Sequence, residues 1–138
     1  MNADEHGLNE LTEKVLGCAF RVSSKLGCGF LEKCYENAMA IELRKAGLAF
    51  QQQVPIAVLY EGEIVGEYVA DIIVEGVVLL ELKAVRDFDE VHSAQCLNYL
   101  RATGLAVCLL INFAKPKLDI KRFRAKSEWH SGKEGDLQ

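Results

Sequence analysis

The sequence predicts an α/β protein in which helices pack on a mixed sheet, in the order helix, helix, strand, strand, strand, helix, strand. Three observations carry this. The first quarter of the chain has apolar residues at helical spacing. The middle holds consecutive runs of alternating β-branched and aromatic residues separated by glycine turns, and the last third returns to a helix followed by an apolar strand.

Taken in order, Leu8, Leu11, Val15, Ala19, Val22 and Leu26 trace one face of a first helix that stops at Gly27-Cys28-Gly29. A second helix begins at about Phe30 and runs through LEKCYENAMAIELRKAG, with Gly47 as its C-terminal stop. FQQQVPIAVLY reads as a strand, and Pro55 places it at an edge or an irregular position. Glu61-Gly62-Glu63 turns the chain into IVGEYVADIIV, and Glu75-Gly76 turns it again into VVLLELKAV. Residues 89 to 103 form a helix and LAVCLLINF a buried strand. From Lys115 to Lys126 the chain gathers six of its sixteen Lys and Arg residues against one acid, Asp119. Residues 1–126 are expected to make a single domain, and 127–138 a polar tail.

With 138 residues there is room for one real core. A formal charge of −4 argues against a binder that grips any polyanion over its whole surface, so a nucleic acid would have to meet a local basic patch. The polar, acidic start lacks the pattern of a secretory signal, and LAVCLLI is too short to cross a bilayer, so a cytoplasmic protein without membrane contact is expected. Five cysteines with no CxxC pair disfavour a disulfide framework or a zinc site and predict reduced, mostly buried thiols.

The chemistry concentrates in the charged residues inside two apolar strands: Asp71 in VADIIV, then Glu81 and Lys83 in VVLLELKAV. Ionised groups are seldom left in a core without a partner or a metal. Side chains alternate along a strand, so Glu81 and Lys83 share a face. Asp71 joins them only if paired residue numbers across the hairpin have an even sum, which requires a loop of odd length. Three residues with Gly76 left-handed satisfy this; a two-residue turn would place Asp71 on the opposite face. Two carboxylates with backbone carbonyls nearby suit Mg²⁺ or Mn²⁺ rather than zinc, and Lys83 can orient water or balance a phosphate. A buried ion pair that merely holds the sheet together explains the same residues about as well.

On the second helix, Glu32 and Glu36 are four apart on an arc with Met39, Ala40 and Leu43. Acids there want a cation, or they reach solvent at the edge of the arc. His92, Gln95 and Tyr99 lie along one stripe of the third helix. The amide and phenol could hold a phosphate, a base or the lysine, although a structural border is the commoner origin of such a stripe, and His92 alone reads as a border histidine.

Gly29, Glu32 and Tyr35 in GFLEKCY, Asp71, and the Glu81-Leu82-Lys83 triplet together resemble the GxxExxY proteins, a group within the PD-(D/E)xK nuclease superfamily. The resemblance extends from about Leu11 to Phe123. It implies a restriction-endonuclease-like core, α-β-β-β-α-β, with flanking helices. Glu36 is similar to the helical metal-binding acid of archaeal Holliday-junction resolvases, and Gln95 to Tyr99 resembles the QxxxY element of RecB-like nucleases. Ala70 precedes Asp71 in place of the motif's proline, which many members of the superfamily lack.

The resemblance implies a metal-dependent phosphodiesterase. Asp71, Glu81, Lys83, Gln95 and Tyr99 would be catalytic. Glu36, Asp71, Glu81 and the Leu82 carbonyl would hold Mg²⁺ or Mn²⁺. Glu32 and Tyr35 would stand behind Glu36 and orient it, with His92 a further supporting residue. Lys115, Lys117, Lys121, Arg122 and Arg124 could track the backbone of a nucleic acid, although an ordinary solvated face accounts for them equally well. The expected partner is nucleic acid, DNA ahead of RNA, structured or branched forms included, and a homodimer is compatible. The alternative is a non-catalytic nucleic-acid- or protein-binding module on the same fold.

Overall fold

Why the first helix lies where it does follows from its buried face: Leu8, Val15, Cys18, Ala19 and Val22 are spaced so that all point one way. The computed structural model describes residues 2–126; the expected tail, 127–138, lies outside the described residues. Helix α1 (Asn2–Leu26) is followed by α2 (Glu32–Lys45), which buries Tyr35, Met39 and Leu43. The link between them is held by Tyr35, whose hydroxyl donates to the Gly27 carbonyl (2.6 Å) and accepts from the Phe30 amide (3.2 Å). Buried Glu42 ties α2 back to α1 through Arg21, at 3.0 Å. Gly47 ends the second helix as expected, at φ 78°.

Five strands follow: β1 (Phe50–Tyr60), β2 (Glu63–Val74), β3 (Val78–Lys83), β4 (Val107–Asn112) and β5 (Asp119–Arg124), with α3 (Glu90–Thr103) between β3 and β4. They form one sheet in the order β1-β2-β3-β4-β5, antiparallel except for the parallel β3–β4 pair. A parallel pair needs a long crossover, and α3 supplies it. Asp89 caps that helix, accepting from the Val91 and His92 amides, and Gly104 closes it at φ 77°. The expected mixed α/β architecture is present. The fifth strand is an addition to it: the basic run was not read as a strand, because only Ile120 and Phe123 interrupt its charges on an exposed edge.

The sheet is covered on both sides. Leu80, Leu82, Leu109 and Ile111 face α1 and α2, while Leu79, Cys108 and Leu110 face Cys96, Tyr99 and Leu100 of α3. Strands buried on both faces read as unbroken apolar runs, which is why Glu81 stands out in β3. Of the cysteines, Cys18, Cys96 and Cys108 are buried, whereas Cys28 and Cys34 are exposed.

The β1–β2 hairpin behaves differently. Even-numbered Phe50, Ile72 and Val74 pack in the α1/α2 layer, whereas even-numbered Val54, Ile56 and Ala70 pack in the α3 layer. Regular alternation cannot do this. The interruption falls at Gln53, which has a left-handed backbone (φ 54°), and the ladder skips from Gln52–Ile72 to Val54–Ala70. Beyond that point β1 and β2 pair only with each other and form an arm, with Pro55 on the edge strand as expected.

Candidate active site

The β2–β3 ladder pairs Ile72 with Leu80, Ile73 with Leu79 and Val74 with Val78, so each pair of numbers has an even sum and the loop is Glu75-Gly76-Val77. Gly76 is left-handed at φ 66°, the condition for Asp71 to join Glu81 and Lys83. Glu75 is left-handed too, and its carboxylate holds the Ala49 amide at 2.7 Å.

At Asp71 the arm leaves the sheet, and the strand β3 loses its neighbour on that side. Glu81, Leu82 and Lys83 continue to pair only with Leu110, Ile111 and Asn112 of β4. The Leu82 amide is left without a strand partner there, and Asp71 Oδ2 takes its hydrogen bond at 2.7 Å. A carboxylate thus replaces a missing ladder bond and is fixed by it.

Glu81 is 4% exposed, with Oε2 3.5 Å from Lys83 Nζ. Among the described residues its Oε1 is the only buried side-chain polar atom with no hydrogen-bond partner. Burial, followed by repulsion from Asp71, pushes the Glu81 carboxyl up to about 8 against the pull of Lys83. Asp71 is also raised, by burial first, with the Leu82 amide opposing and Glu36 adding repulsion. Such a site is short of positive charge.

The expected third ligand is engaged elsewhere. Glu36 is buried, and its two oxygens accept from Gln53 Nε2 (2.8 Å) and Gln52 Nε2 (2.7 Å), with Lys33 Nζ 3.3 and 3.4 Å away. Among the described residues no three His, Cys, Asp or Glu side chains come together as a ligand set. Two glutamines and a lysine thus satisfy the charge of Glu36 that was expected to call for a metal. Glu32 accepts from the Ala84 amide at 3.2 Å, joining the start of α2 to the end of β3, and its charge adds to the repulsion on Asp71 and Glu81.

The donors that do fit a hard divalent cation are Asp71 and Glu81, one of whose oxygens is buried and unpartnered. Mg²⁺ is commonly held by one or two carboxylates, with waters and substrate phosphates completing its shell, so two suffice.

Other expectations are placed differently. Tyr35 does not orient Glu36; its hydroxyl serves the α1–α2 link and its ring stacks on Phe113, with centroids 4.7 Å apart. His92 belongs to the α3 cap, Nδ1 accepting from the Asp89 amide at 3.1 Å. Gln95 and Tyr99 bond to each other (2.8 Å), and the Tyr99 hydroxyl donates to the Val69 carbonyl (3.4 Å) rather than meeting Lys83. They brace the arm two residues before Asp71.

The basic run does not form one stripe. Arg122 and Arg124 turn to α1, reaching Asn9 (2.9 Å) and Glu5 (4.0 Å). Lys121 lies on the other face, over the Phe88 ring, and Lys115 pairs with Asp87 at 2.9 Å; Lys117 is exposed.

Three residues that the sequence reading missed shape the site: Gln52, Gln53 and Asn112. Asn112 is fully buried opposite Lys83, accepting from the Val85 and Ala114 amides (3.1 Å each) and donating to the Val85 carbonyl (2.7 Å). It fixes the chain leaving the Glu-Leu-Lys strand. The signals were available: a polar triplet at the head of a strand and an asparagine ending an apolar one.

No helix among the described residues is long and apolar enough to cross a membrane. Comparison with curated proteins and with solved structures finds no match. The family model of the PD-(D/E)XK nuclease superfamily matches residues 9–123, well over half of the chain; the chain belongs to that superfamily.

Proposed function

We propose that the chain is a Mg²⁺- or Mn²⁺-dependent nuclease of the GxxExxY group that hydrolyses phosphodiester bonds of DNA, structured or branched forms included. The observation that carries this reading is the buried, unpartnered Oε1 of Glu81 beside Asp71 and Lys83. A fold seldom leaves a carboxylate oxygen so placed unless something else completes it.

Asp71 and Glu81 would hold the cation, with the Leu82 carbonyl as a further donor. When bound, the cation supplies a water of lowered pKa and offsets charge on the phosphate. The Leu82 amide keeps Asp71 from rotating away. Lys83, on the same face, offers a positive charge to the attacking water or to a phosphate oxygen. Asn112 holds the segment after Lys83, and Tyr99 with Gln95 holds the strand before Asp71, so both arms of the site are fixed before substrate arrives. Glu36, bound by its glutamines, contributes negative field rather than a ligand.

A second reading, a binding module that does no chemistry, draws on one observation: the helical acid is already satisfied. The two readings differ in what a metal does. We expect Mg²⁺ or Mn²⁺ to raise the thermal midpoint of the wild type and not of Asp71→Ala. We expect metal-dependent cleavage of at least one among end-labelled single-stranded, duplex and four-way-junction DNA and RNA, lost in Lys83→Ala. Absence of both effects overturns the nuclease reading and leaves the module.

A further inference from the structure

We propose that the cleft between α3 and the β1–β2 arm is a nucleobase pocket that takes one unpaired base next to the scissile phosphate; this inference rests on the nuclease reading. The cleft is lined by Tyr68, Val91, Ala94, Gln95, Asn98 and Tyr99 and has a volume of ≈ 300 Å³. That is the low end of the range for ligand pockets, enough for a single planar ring system and not for a larger molecule.

Its walls suit such a ring. Tyr68 is 45% exposed on the arm and meets Tyr99 edge-on, with centroids 5.7 Å apart and planes at 64°. Tyr99 is 2% exposed and locked by its bonds to Gln95 and Val69, so it backs Tyr68 rigidly, and the exposed Tyr68 ring is the face on which a base can stack. Gln95 and Asn98, three apart on α3, bring two amides to the cleft, where the polar edge of a base would lie. Val91, 71% exposed, supplies apolar surface that the protein itself does not cover.

Position ties the cleft to the chemistry. The Tyr99 hydroxyl is bonded to Val69, two residues and therefore about 7 Å along the strand from Asp71. A base stacked on Tyr68, whose ring packs against Tyr99, thus belongs to a nucleotide beside the phosphate held at Asp71 and Glu81. A base inside a duplex has both faces stacked and its polar edge paired, so only an unpaired or extruded base can enter. The substrate class is a strand with at least one unpaired nucleotide flanking the cut.

The test has two parts. Binding of a fluorescein-labelled single-stranded oligonucleotide in chelator, without divalent ion, is followed by anisotropy for the wild type, Tyr68→Ala, Tyr68→Phe and Ala94→Trp, which fills the cleft from the helix side. Cleavage with Mg²⁺ is then measured on oligonucleotides in which one abasic position is walked along the strand. Tyr68→Ala and Ala94→Trp are expected to bind roughly 5- to 100-fold more weakly, while Tyr68→Phe binds like the wild type. A single abasic position adjacent to the cut should slow the wild type and have no further effect in Tyr68→Ala. If both cleft variants bind and cleave like the wild type while Lys83→Ala is inactive, the pocket is refuted and the nuclease reading stands. If the wild type neither binds nor cleaves any strand, both fall together.

Discussion

Gln53 stands across the hairpin from Asp71, between the pairs Gln52–Ile72 and Val54–Ala70, where the β1–β2 ladder skips a pair. The left-handed turn there moves the strand faces from one core layer to the other and sends the Gln53 amide to Glu36 rather than along the sheet. One residue therefore sets both the departure of the arm and the neutralisation of the helical acid.

These two roles separate by substitution. Gln53→Gly keeps the backbone freedom and loses the amide, whereas Gln53→Val loses the amide and forces a β-branched residue into a left-handed conformation. In urea unfolding, Gln53→Gly should cost about 1–2 kcal/mol for the bond taken from a buried carboxylate. Gln53→Val should cost about 1–3 kcal/mol more. Equal costs would show that backbone conformation is not what the position selects.

Glu81 makes metal-free stability depend on pH. Its carboxyl titrates at about 8 when folded and at the ordinary 4.5 when unfolded, so between those values the folded state holds the extra proton. The stability this confers is complete below the unfolded value and is lost as pH rises through the folded one. Relative to Glu81→Gln, the wild type should lose at least about 1 kcal/mol, several degrees in thermal midpoint, between about pH 5 and about pH 9. Glu81→Gln should be the more stable protein at the upper end, and inactive. A pH-independent difference between the two would contradict the buried, unpartnered carboxylate.

Asn112→Ala strips the Val85 and Ala114 amides of their acceptor in a fully buried setting. A loss of about 2–4 kcal/mol is expected in denaturant unfolding. Hydrogen exchange should show early opening of the segment after Lys83 while α1 stays protected. Uniform loss of protection would mean that Asn112 supports the whole fold rather than this exit.

Tyr35→Phe keeps the stack on Phe113 and removes only the hydroxyl that joins Gly27 and Phe30. Stability should fall by about 1–2 kcal/mol, with cleavage per folded molecule unchanged. A drop in cleavage without a drop in stability would return Tyr35 to the role of orienting the site.

Much of this was written in the chain. The facing of Asp71 with Glu81 and Lys83 followed from counting residues around Gly76, because pleating leaves no freedom once the loop length is fixed. The fate of Glu36 was not legible. Helical spacing put it on an apolar arc, but its partners come from a strand 16 and 17 positions away, and nothing local says that a glutamine will adopt a left-handed backbone. The part of His92 in the reciprocal cap of α3 was not legible either, because Glu or Gln is usual at that position. Strand β5 was hidden because it draws its order from β4 and α1, and its charges are those of an exposed edge.

That last strand also closes the molecule in time. Arg122 reaches Asn9, 113 positions earlier, and Arg124 reaches Glu5, so the first helix meets its final neighbours only when the end of the domain has been synthesised. Contacts of such long sequence separation are slow to form. On the ribosome, the apolar face of α1 can settle on α2 and the central strands before β5 emerges, but the polar seam between β5 and the start of α1 closes last; a nascent chain cut short before β5 would be left with that seam open and β4 unpaired on one side.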